Sequence, residues 1–260
     1  MACLLALDLD GTTVNRRGKL GDATRNALME ACRRGNTIVF ATGRRDMDMF
    51  SFWEDSRCAD YLLLNNGSKL MRTDTRQVLF NHTIPADICQ NLICKCLKEN
   101  WQLHIFSHDY WSVNKWSDGL QEYVEYLGTQ PILYHTLEET PWQQVEGFMA
   151  TADLNPICDY IRSQGLPLEY TPSEDTCVDI MDIGISKWGG IQELMDLLQI
   201  PVDHVIAAGD YNNDIPMIQG AKIGIAVANA LPEVKAAADY VTQRTCNQDA
   251  VAEIIERFIL

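Results

Sequence analysis

Short, wholly apolar runs alternate with amphipathic stretches in the first part of the chain. The runs lie at Cys3–Leu7, Thr37–Ala41 and Tyr61–Leu64, and each has the pattern of a parallel strand that is buried on both faces. The stretch from about Asp22 to Arg34 predicts a helix, with Asp22 as its N-cap and Gly35 placed to end it. Strands that alternate with helices in this way predict an α/β fold with a doubly wound parallel sheet.

The pattern changes after Asn65-Asn-Gly67. Two short segments, Ser68–Arg72 and Gln77–Asn81, are joined by a polar turn and predict an antiparallel hairpin. From about residue 83 to 184 the chain is richer in aromatic residues, and amphipathic helices alternate there with strands. This composition and alternation indicate a separate α/β module.

The opening pattern returns in the last part of the chain. A helix at about 187–199 leads to the short apolar strand Val205–Ala208, and further strands and a closing helix follow. We therefore predict that residues 1–82 and 185–260 build one discontinuous Rossmann-like domain. Residues 83–184 are predicted to form an α/β domain inserted between its halves.

Composition narrows the choice of partners and compartment. The 260 residues are 47% hydrophobic and 22% charged, as in ordinary globular proteins, and carry a formal net charge of −15. That charge argues against nucleic acid and acidic membrane surfaces as partners. No apolar run approaches the roughly 20 residues that span a bilayer, and the apolar start is too short for a signal sequence. We expect a soluble, cytoplasmic protein whose nine scattered cysteines are reduced.

Polar residues follow four of the predicted strands directly. In open parallel sheets, ligands bind outside the carboxyl ends of the strands, so these residues are expected to converge. The strand ends deliver Asp8-Leu-Asp10-Gly-Thr-Thr, Thr42-Gly-Arg44, Asn65-Asn-Gly67 and Gly209-Asp210-Tyr-Asn-Asn-Asp214.

The first of these strand ends carries two carboxylates. Asp8 and Asp10 are two residues apart, so on an extended strand they point to the same face, roughly 6–7 Å apart. Such a pair needs a neutralising cation, and with Asp210 and Asp214 nearby the oxygen donors favour a hard ion, with Mg²⁺ as the best candidate. One carboxylate can attack phosphorus while the other moves protons. Alone, the Asp-x-Asp-Gly pattern would be better explained by a turn or a calcium loop. The EF-hand pattern fails here, however, because Thr12 and Thr13 stand where its next acidic ligand belongs and no glutamate closes the loop.

The second strand end can bind phosphate. The Thr42 hydroxyl and the free backbone N–H groups at Gly43 make a phosphate cradle, although a plain helix cap is an equal interpretation of these two residues. Lys187 near the start of a later helix matters only if the fold aims it at the phosphate, since an isolated lysine is usually a surface charge.

Taken together, the motifs resemble those of the haloacid-dehalogenase (HAD) superfamily, in its Cof-like phosphatase branch (subfamily IIB). The resemblance runs the length of the chain, in motif order and strand context. It rests on Asp8-Leu-Asp10-Gly-Thr, Thr42-Gly-Arg44, Lys187 and Gly209-Asp210-Tyr-Asn-Asn-Asp214, with Asn66-Gly67 and Gly224-Ile-Ala-Val-Ala-Asn229-Ala230 as further branch-specific segments.

The resemblance implies a role for each motif residue. Asp8 is expected to be the nucleophile and Asp10 the general acid/base. Mg²⁺ would be held by Asp8, the Asp10 carbonyl and Asp210, with support from Asp214. Phosphate or substrate would be contacted by Thr42, Gly43, Lys187 and Asn213, whereas Arg44 either faces the substrate or braces the site. The inserted 83–184 module matches the cap that closes over the site and chooses the substrate.

Two positions depart from the branch pattern. Trp188 stands where Cof-like chains have a glycine after the motif III lysine, and we expect it to alter the pocket wall or the hinge. The segment Asn247-Gln-Asp-Ala-Val-Ala lacks the usual glycine directly before Val-Ala. In the inserted module, the weaker candidates for reading the leaving group are His104, His108, Asp109, Trp111 and Trp116, placed in or beside strand-end loops.

The sequence thus predicts an Mg²⁺-dependent phosphatase of sugar phosphates or similar phosphomonoesters, acting through an aspartyl-phosphate. Two alternatives stay open: a phosphomutase of the same branch, and a non-catalytic protein that binds phosphorylated metabolites. The predicted partner is a small phosphate ester, and the chain is expected to be a monomer or a weak homodimer.

Overall fold

The chain forms two compact units in the computed structural model, which describes residues 3–108, 110–174 and 177–260. The core unit comprises Met1–Arg45, Met49–Phe80 and Ser186–Leu260. The inserted unit comprises Asp46–Asp48 and Asn81–Ile185.

The helices and strands follow one another in three stretches of the chain. The first stretch carries β1 (Leu4–Leu7), α1 (Asp22–Arg33), β2 (Thr37–Ala41), α2 (Trp53–Ser56), β3 (Tyr61–Leu64), β4 (Lys69–Arg72) and β5 (Val78–Asn81). The second carries α3 (Ala86–Glu99), β6 (His104–Ser107), β7 (Tyr110–Val113), α4 (Asp118–Leu127), β8 (Ile132–Leu133), β9 (Gly147–Ala150), α5 (Leu154–Gln164), β10 (Leu168–Glu174) and β11 (Cys177–Asp182). The third carries α6 (Lys187–Leu198), β12 (Val205–Gly209), α7 (Ile215–Gly220), β13 (Ile223–Ala226), α8 (Pro232–Ala237), β14 (Tyr240–Val241) and α9 (Ala250–Phe258).

The core unit is built on one sheet with strand order β14-β13-β12-β1-β2-β3-β4-β5. Strands from β14 through β3 pair in parallel, and β4 joins β3 antiparallel. The α/β, Rossmann-like fold predicted from the alternating pattern is thereby confirmed. Because β1, β2 and β12 are parallel neighbours, their carboxyl ends lie at the same edge of the sheet.

Both faces of the central strand are buried, which is why its sequence is continuously apolar. Leu5 and Leu7 of β1 belong to the apolar cluster that includes residues of α1 and α9. Leu4 and Ala6 belong to a second cluster, which includes residues of α6 and α7. The sheet is therefore a middle layer between helices, as expected for a doubly wound topology.

The first helix is capped from the far end of the chain. The predicted N-cap, Asp22, is wrong, because Gly21 occupies the cap position. Glycine has no side chain that could accept a hydrogen bond from the first turn. Asp249 replaces it, because its Oδ1 accepts hydrogen bonds from the Thr24 N–H (3.2 Å) and the Thr24 hydroxyl (2.8 Å). Asp249 itself has φ of +60°, a conformation that favours glycine.

The inserted unit has its own sheet with order β10-β11-β9-β6-β7-β8. One face carries an apolar cluster with residues of α3 and α5, including Cys89 and Cys96. The other face carries Phe106, Trp111 and Met149 with residues of α4. Cys89 and Cys96 of this cluster are free thiols.

The weaker candidates in the inserted unit differ in their burial. His104 and Trp111 are buried inside β6 and β7, and the Trp111 indole N–H donates to His104 Nδ1 (3.2 Å). Trp116 is about half exposed, and His108 makes an ion pair with Asp46. Asp109 lies outside the described residues. Among the described helices, none has the length and apolarity needed to cross a membrane.

Candidate active site

The predicted nucleophile lies directly after β1, at the carboxyl edge of the core sheet. The Asp8 backbone N–H donates to the carbonyl of Ala208 in β12 (3.0 Å), which extends the strand pairing by one residue. Its carboxylate is buried, and Oδ1 accepts a hydrogen bond from Lys187 Nζ (2.7 Å). Oδ2 is also buried but accepts no hydrogen bond within the described part of the chain.

Lys187 reaches this carboxylate from the first turn of α6. Ser186 is the N-cap of that helix, and its hydroxyl accepts from the Gly189 N–H (3.0 Å). The lysine side chain is 1% exposed and also donates to Asp214 Oδ1 (2.7 Å). A lysine that would ordinarily be a surface charge is therefore a buried cation shared by two carboxylates.

Asp210 and Asp214 lie in the loop after β12. Asp214 Oδ2 accepts from the backbone N–H groups of Asp210 (2.9 Å) and Tyr211 (3.0 Å), so both oxygens of this buried carboxylate are engaged. Asp210 Oδ1 accepts from the Thr12 hydroxyl (3.0 Å). Asp214 therefore fixes the loop backbone through these two hydrogen bonds, while Thr12 orients the Asp210 carboxylate.

Thr42 and Gly43 follow β2 at the same edge. Thr42 is buried, and its N–H donates to the Leu63 carbonyl of the neighbouring strand (2.8 Å). Gly43 lies against the side chain of Asn66, where a Cβ on the glycine would come within 3.2 Å of the amide oxygen. Asn66 in turn accepts a hydrogen bond from Asn213 Nδ2 (2.9 Å). The predicted phosphate cradle and Asn213 thus meet at Asn66.

Arg44 faces Asp10. Its Nε donates to Asp10 Oδ2 (2.8 Å) and its Nη2 donates to Asp10 Oδ1 (2.6 Å). Of the two interpretations left open by the sequence, substrate contact or bracing, this geometry supports bracing. The Asp10 side chain is 56% exposed, unlike the buried Asp8.

Two glycines let α6 approach the site closely. Gly67, with φ of +111°, lies so close to the Ser186 carbonyl that a Cβ would overlap it. Gly190 lies between Leu63 and the Gly67 carbonyl, where a Cβ would come within 2.8 Å of that oxygen. The turn at Asn65–Gly67 and the first turn of α6 therefore pack backbone to backbone. This contact fixes the position of Lys187 at the start of α6.

A model of the haloacid dehalogenase-like hydrolase family matches residues 5–255, nearly the whole chain. The chain belongs to this family. The family, the fold and the hydrolase class predicted from the motifs are thereby confirmed.

Individual relatives of this haloacid dehalogenase-like hydrolase extend over its full length. The putative phosphatase YxeH of Bacillus subtilis (strain 168) is 28% identical over 270 residues, covering 99% of this chain and 98% of the relative. The 5-amino-6-(5-phospho-D-ribitylamino)uracil phosphatase YcsE of the same organism is 28% identical over 258 residues, covering 99% and 96%. The solved structure of a HAD subclass IIB sugar phosphatase, BT4131, superposes with a TM-score of 0.86 at 24% identity, covering 99% of each chain, and shows the same fold.

The charges in this hydrolase's site do not balance. Asp8, Asp210 and Asp214 place carboxylate oxygens within 4.8 Å of one another, and Lys187 supplies one positive charge against three negative ones. Burial, and then the Asp214 charge, raise the pKa of Asp8 well above its usual value although Lys187 opposes them. The same two causes raise the pKa of Asp210 to about 6.

The excess of negative charge raises the pKa of Lys187 as well. Burial acts to lower its pKa, but the charges of Asp214 and Asp8 outweigh burial, so the pKa of Lys187 is raised and it stays protonated. The negative charge that remains on the three clustered carboxylates fits a divalent cation with oxygen ligands.

Sequence reasoning missed several residues that build the site. Thr12, Asn66 and Ser186 orient Asp210, Asn213 and the start of α6 respectively. Thr12 and Asn66 stand inside motifs that the sequence already singled out, so their position was visible while their role was not. Trp188 packs over Gly220 in the apolar cluster between the sheet and α6, inside the core unit.

Proposed function

We propose that this hydrolase is an Mg²⁺-dependent phosphatase that cleaves small phosphorylated metabolites through an aspartyl-phosphate on Asp8. The observation that carries the proposal is the state of the Asp8 carboxylate. One oxygen is held by Lys187, and the other is buried and accepts no hydrogen bond within the described residues. A carboxylate oxygen that is oriented, desolvated and unbonded is suited to attack phosphorus.

In the proposed reaction, Asp8 Oδ2 forms a bond to phosphorus while the bond from phosphorus to the leaving alcohol breaks. Asp10 supplies the proton that the departing alkoxide takes up. The same carboxylate then removes a proton from water, which attacks the aspartyl-phosphate, releases inorganic phosphate and regenerates Asp8.

The phosphoryl oxygens would be held by Lys187 and the cradle at Thr42 and Gly43, with Asn213 contacting phosphate or substrate. Lys187 is close enough to act on the group bound to Asp8, since its Nζ is 2.7 Å from Asp8 Oδ1. This fixed ammonium would offset charge on the phosphoryl group without having to reorganise during the reaction.

Mg²⁺ is proposed as the cation because the available donors are hard oxygen atoms. Asp8, the Asp10 carbonyl and Asp210 would hold it, and its charge would offset the repulsion between the phosphoryl group and the carboxylates. Asp214 supports the site in a different way from a ligand, because Lys187 and two backbone N–H groups already occupy its oxygens.

The class of substrate is supported by the relatives. Both Bacillus proteins carry phosphatase names, one of them for a phosphorylated ribitylamino compound, and the structural neighbour is called a sugar phosphatase. We extend this to sugar phosphates or similar phosphomonoesters for the present chain. Residues 83–184 are proposed to act as the cap that selects among them, and the cytoplasmic location and the monomeric or weakly dimeric state stay predictions.

The test is to follow both turnover and the covalent intermediate. Asp8→Asn should abolish release of phosphate from a panel of phosphorylated metabolites, and the wild type should incorporate ³²P from substrate into a hydroxylamine-sensitive adduct that this variant lacks. EDTA should remove activity, and Mg²⁺ should restore it. Asp203→Asn, a change of the same kind at a residue 75% exposed, is the control and should keep full activity. Appreciable turnover by Asp8→Asn would refute the nucleophile assignment.

A further inference from the structure

Arg44 and Asp10 form a two-bond fork in which the two partners differ in burial. The bonds are 2.8 Å from Nε and 2.6 Å from Nη2, each to a different carboxylate oxygen. The arginine side chain is 9% exposed, whereas the aspartate side chain is 56% exposed. The buried guanidinium is therefore the anchored member of the pair.

The anchoring of Arg44 does not depend on Asp10. Its backbone N–H donates to the Thr42 hydroxyl (3.1 Å), and its carbonyl accepts from the Asn65 N–H (3.0 Å). Its guanidinium carbon lies 5.6 Å from the centroid of the buried Phe52 ring, at a distance that allows a cation–π contact. Backbone and side chain are both fixed by the core unit.

The geometry assigns Arg44 as the positioning residue for Asp10, not as a binder of the phosphoryl group. The inference rests on the proposed function, in which Asp10 transfers protons. Two parallel N–H···O bonds fix the carboxylate in both position and rotation, which a single-point contact from lysine cannot do. An exposed acid/base that was free to rotate would lose the alignment that proton transfer to the leaving oxygen requires.

The experiment compares esters that differ in how much they need a proton. A series of 4-nitrophenyl, phenyl and benzyl phosphate keeps the aromatic ring while the leaving group worsens. kcat/KM reports the steps up to departure of the alcohol. We expect Arg44→Lys and Arg44→Met to lower kcat/KM about 10–100-fold for benzyl phosphate and less than about threefold for 4-nitrophenyl phosphate. The inhibition constant of inorganic phosphate should stay unchanged.

Two further variants separate positioning from a merely structural effect. Arg44→Ala should regain activity toward benzyl phosphate when ethylguanidinium is added, because the cation can reoccupy the anchored place beside Asp10. The double variant Asp10→Asn/Arg44→Met should be no slower than Asp10→Asn, since Arg44 acts through Asp10. Arg33→Met, at a surface residue paired with Glu30, is the control and should change none of these quantities.

Each outcome decides the inference. An equal loss for all three esters with a raised inhibition constant of phosphate would make Arg44 a phosphoryl binder and overturn it. A leaving-group gradient in Asp10→Asn but none in the Arg44 variants would overturn the inference alone. If Asp10→Asn itself showed no gradient, the acid/base assignment of the proposed function would fall, and the inference with it.

Discussion

Replacing Lys187 by methionine tests the charge balance of the site directly. The substitution removes one ammonium that donates to Asp8 and Asp214, each at 2.7 Å, and leaves the length of the side chain nearly unchanged. Three carboxylates with oxygens within 4.8 Å would then have no cation among them in metal-free protein. The variant therefore isolates an electrostatic loss.

The size of the loss follows from burial. The lysine side chain is 1% exposed and its two partners are 6% and 1% exposed, so water cannot replace the lost contacts. Removing one member of a buried ion pair typically costs about 3–5 kcal/mol. Asp214 keeps its two backbone hydrogen bonds, and Asp8 can take up a proton. We therefore expect the free energy of unfolding to fall by about 3 kcal/mol, the lower end of that range.

The measurement is urea unfolding in EDTA at pH 7.5. Hydrogen exchange of peptides from β1 and β12 would be followed by mass spectrometry, because it reports the core unit separately. Lys222→Met is the matched control, since that lysine is 60% exposed and should contribute less than about 1 kcal/mol. Mg²⁺ should reduce the difference in free energy of unfolding between Lys187→Met and wild type, because it binds the carboxylates of the folded protein. Equal stability of the two Lys→Met variants in EDTA would refute the charge-balance reasoning.

Other predictions concern pH, packing and capping. The pKa of Asp210 is raised from 3.8 to about 6, so its stabilising contribution is present below pH 3.8 and lost as pH rises through about 6. Between pH 4 and 7, the free energy of unfolding of the metal-free wild type should therefore fall by up to about 3 kcal/mol relative to Asp210→Asn, as measured by urea titration. Gly67→Ala should lower kcat about 100-fold by displacing the start of α6, whereas Gly35→Ala, also at positive φ but with nothing within 4 Å, should keep activity. Asp249→Ala should lower the free energy of unfolding by about 1–2 kcal/mol, and Asp249→Gly by less, because glycine adopts φ of +60° without strain.

The parallel sheet could be predicted from sequence because its strands are buried on both faces. Thr37–Ala41 and Tyr61–Leu64 have the predicted bounds. The strand Tyr110–Val113 was not predicted. Trp111, which was placed in or beside a strand-end loop, lies in this strand, and its indole N–H donates to His104.

The meeting of the site carboxylates at one edge of the sheet could be predicted for a related reason, since each follows a strand whose direction the pattern fixes. Their supporting contacts could not. The cap of α1 comes from Asp249, 225 positions away from Thr24, and no local signal links two such distant segments. The departure at Trp188 likewise has a nonlocal reason, because the room for its ring is provided by Gly220 on α7.

The glycine contacts connect a local sequence motif with a contact between distant segments of the chain. Lys187 can reach Asp8 only because α6 begins close to the turn after β3, and that approach is possible only where Gly67 and Gly190 lack side chains. A lysine at the same helix position would end elsewhere if either glycine carried a Cβ. The Cβ would overlap the Ser186 backbone at Gly67, and both the Leu63 side chain and the Gly67 carbonyl at Gly190. The Asn66-Gly67 motif therefore contributes to the chemistry through distance. It allows the ammonium to come within 2.7 Å of the carboxylate, a contact on which the charge balance of the site depends.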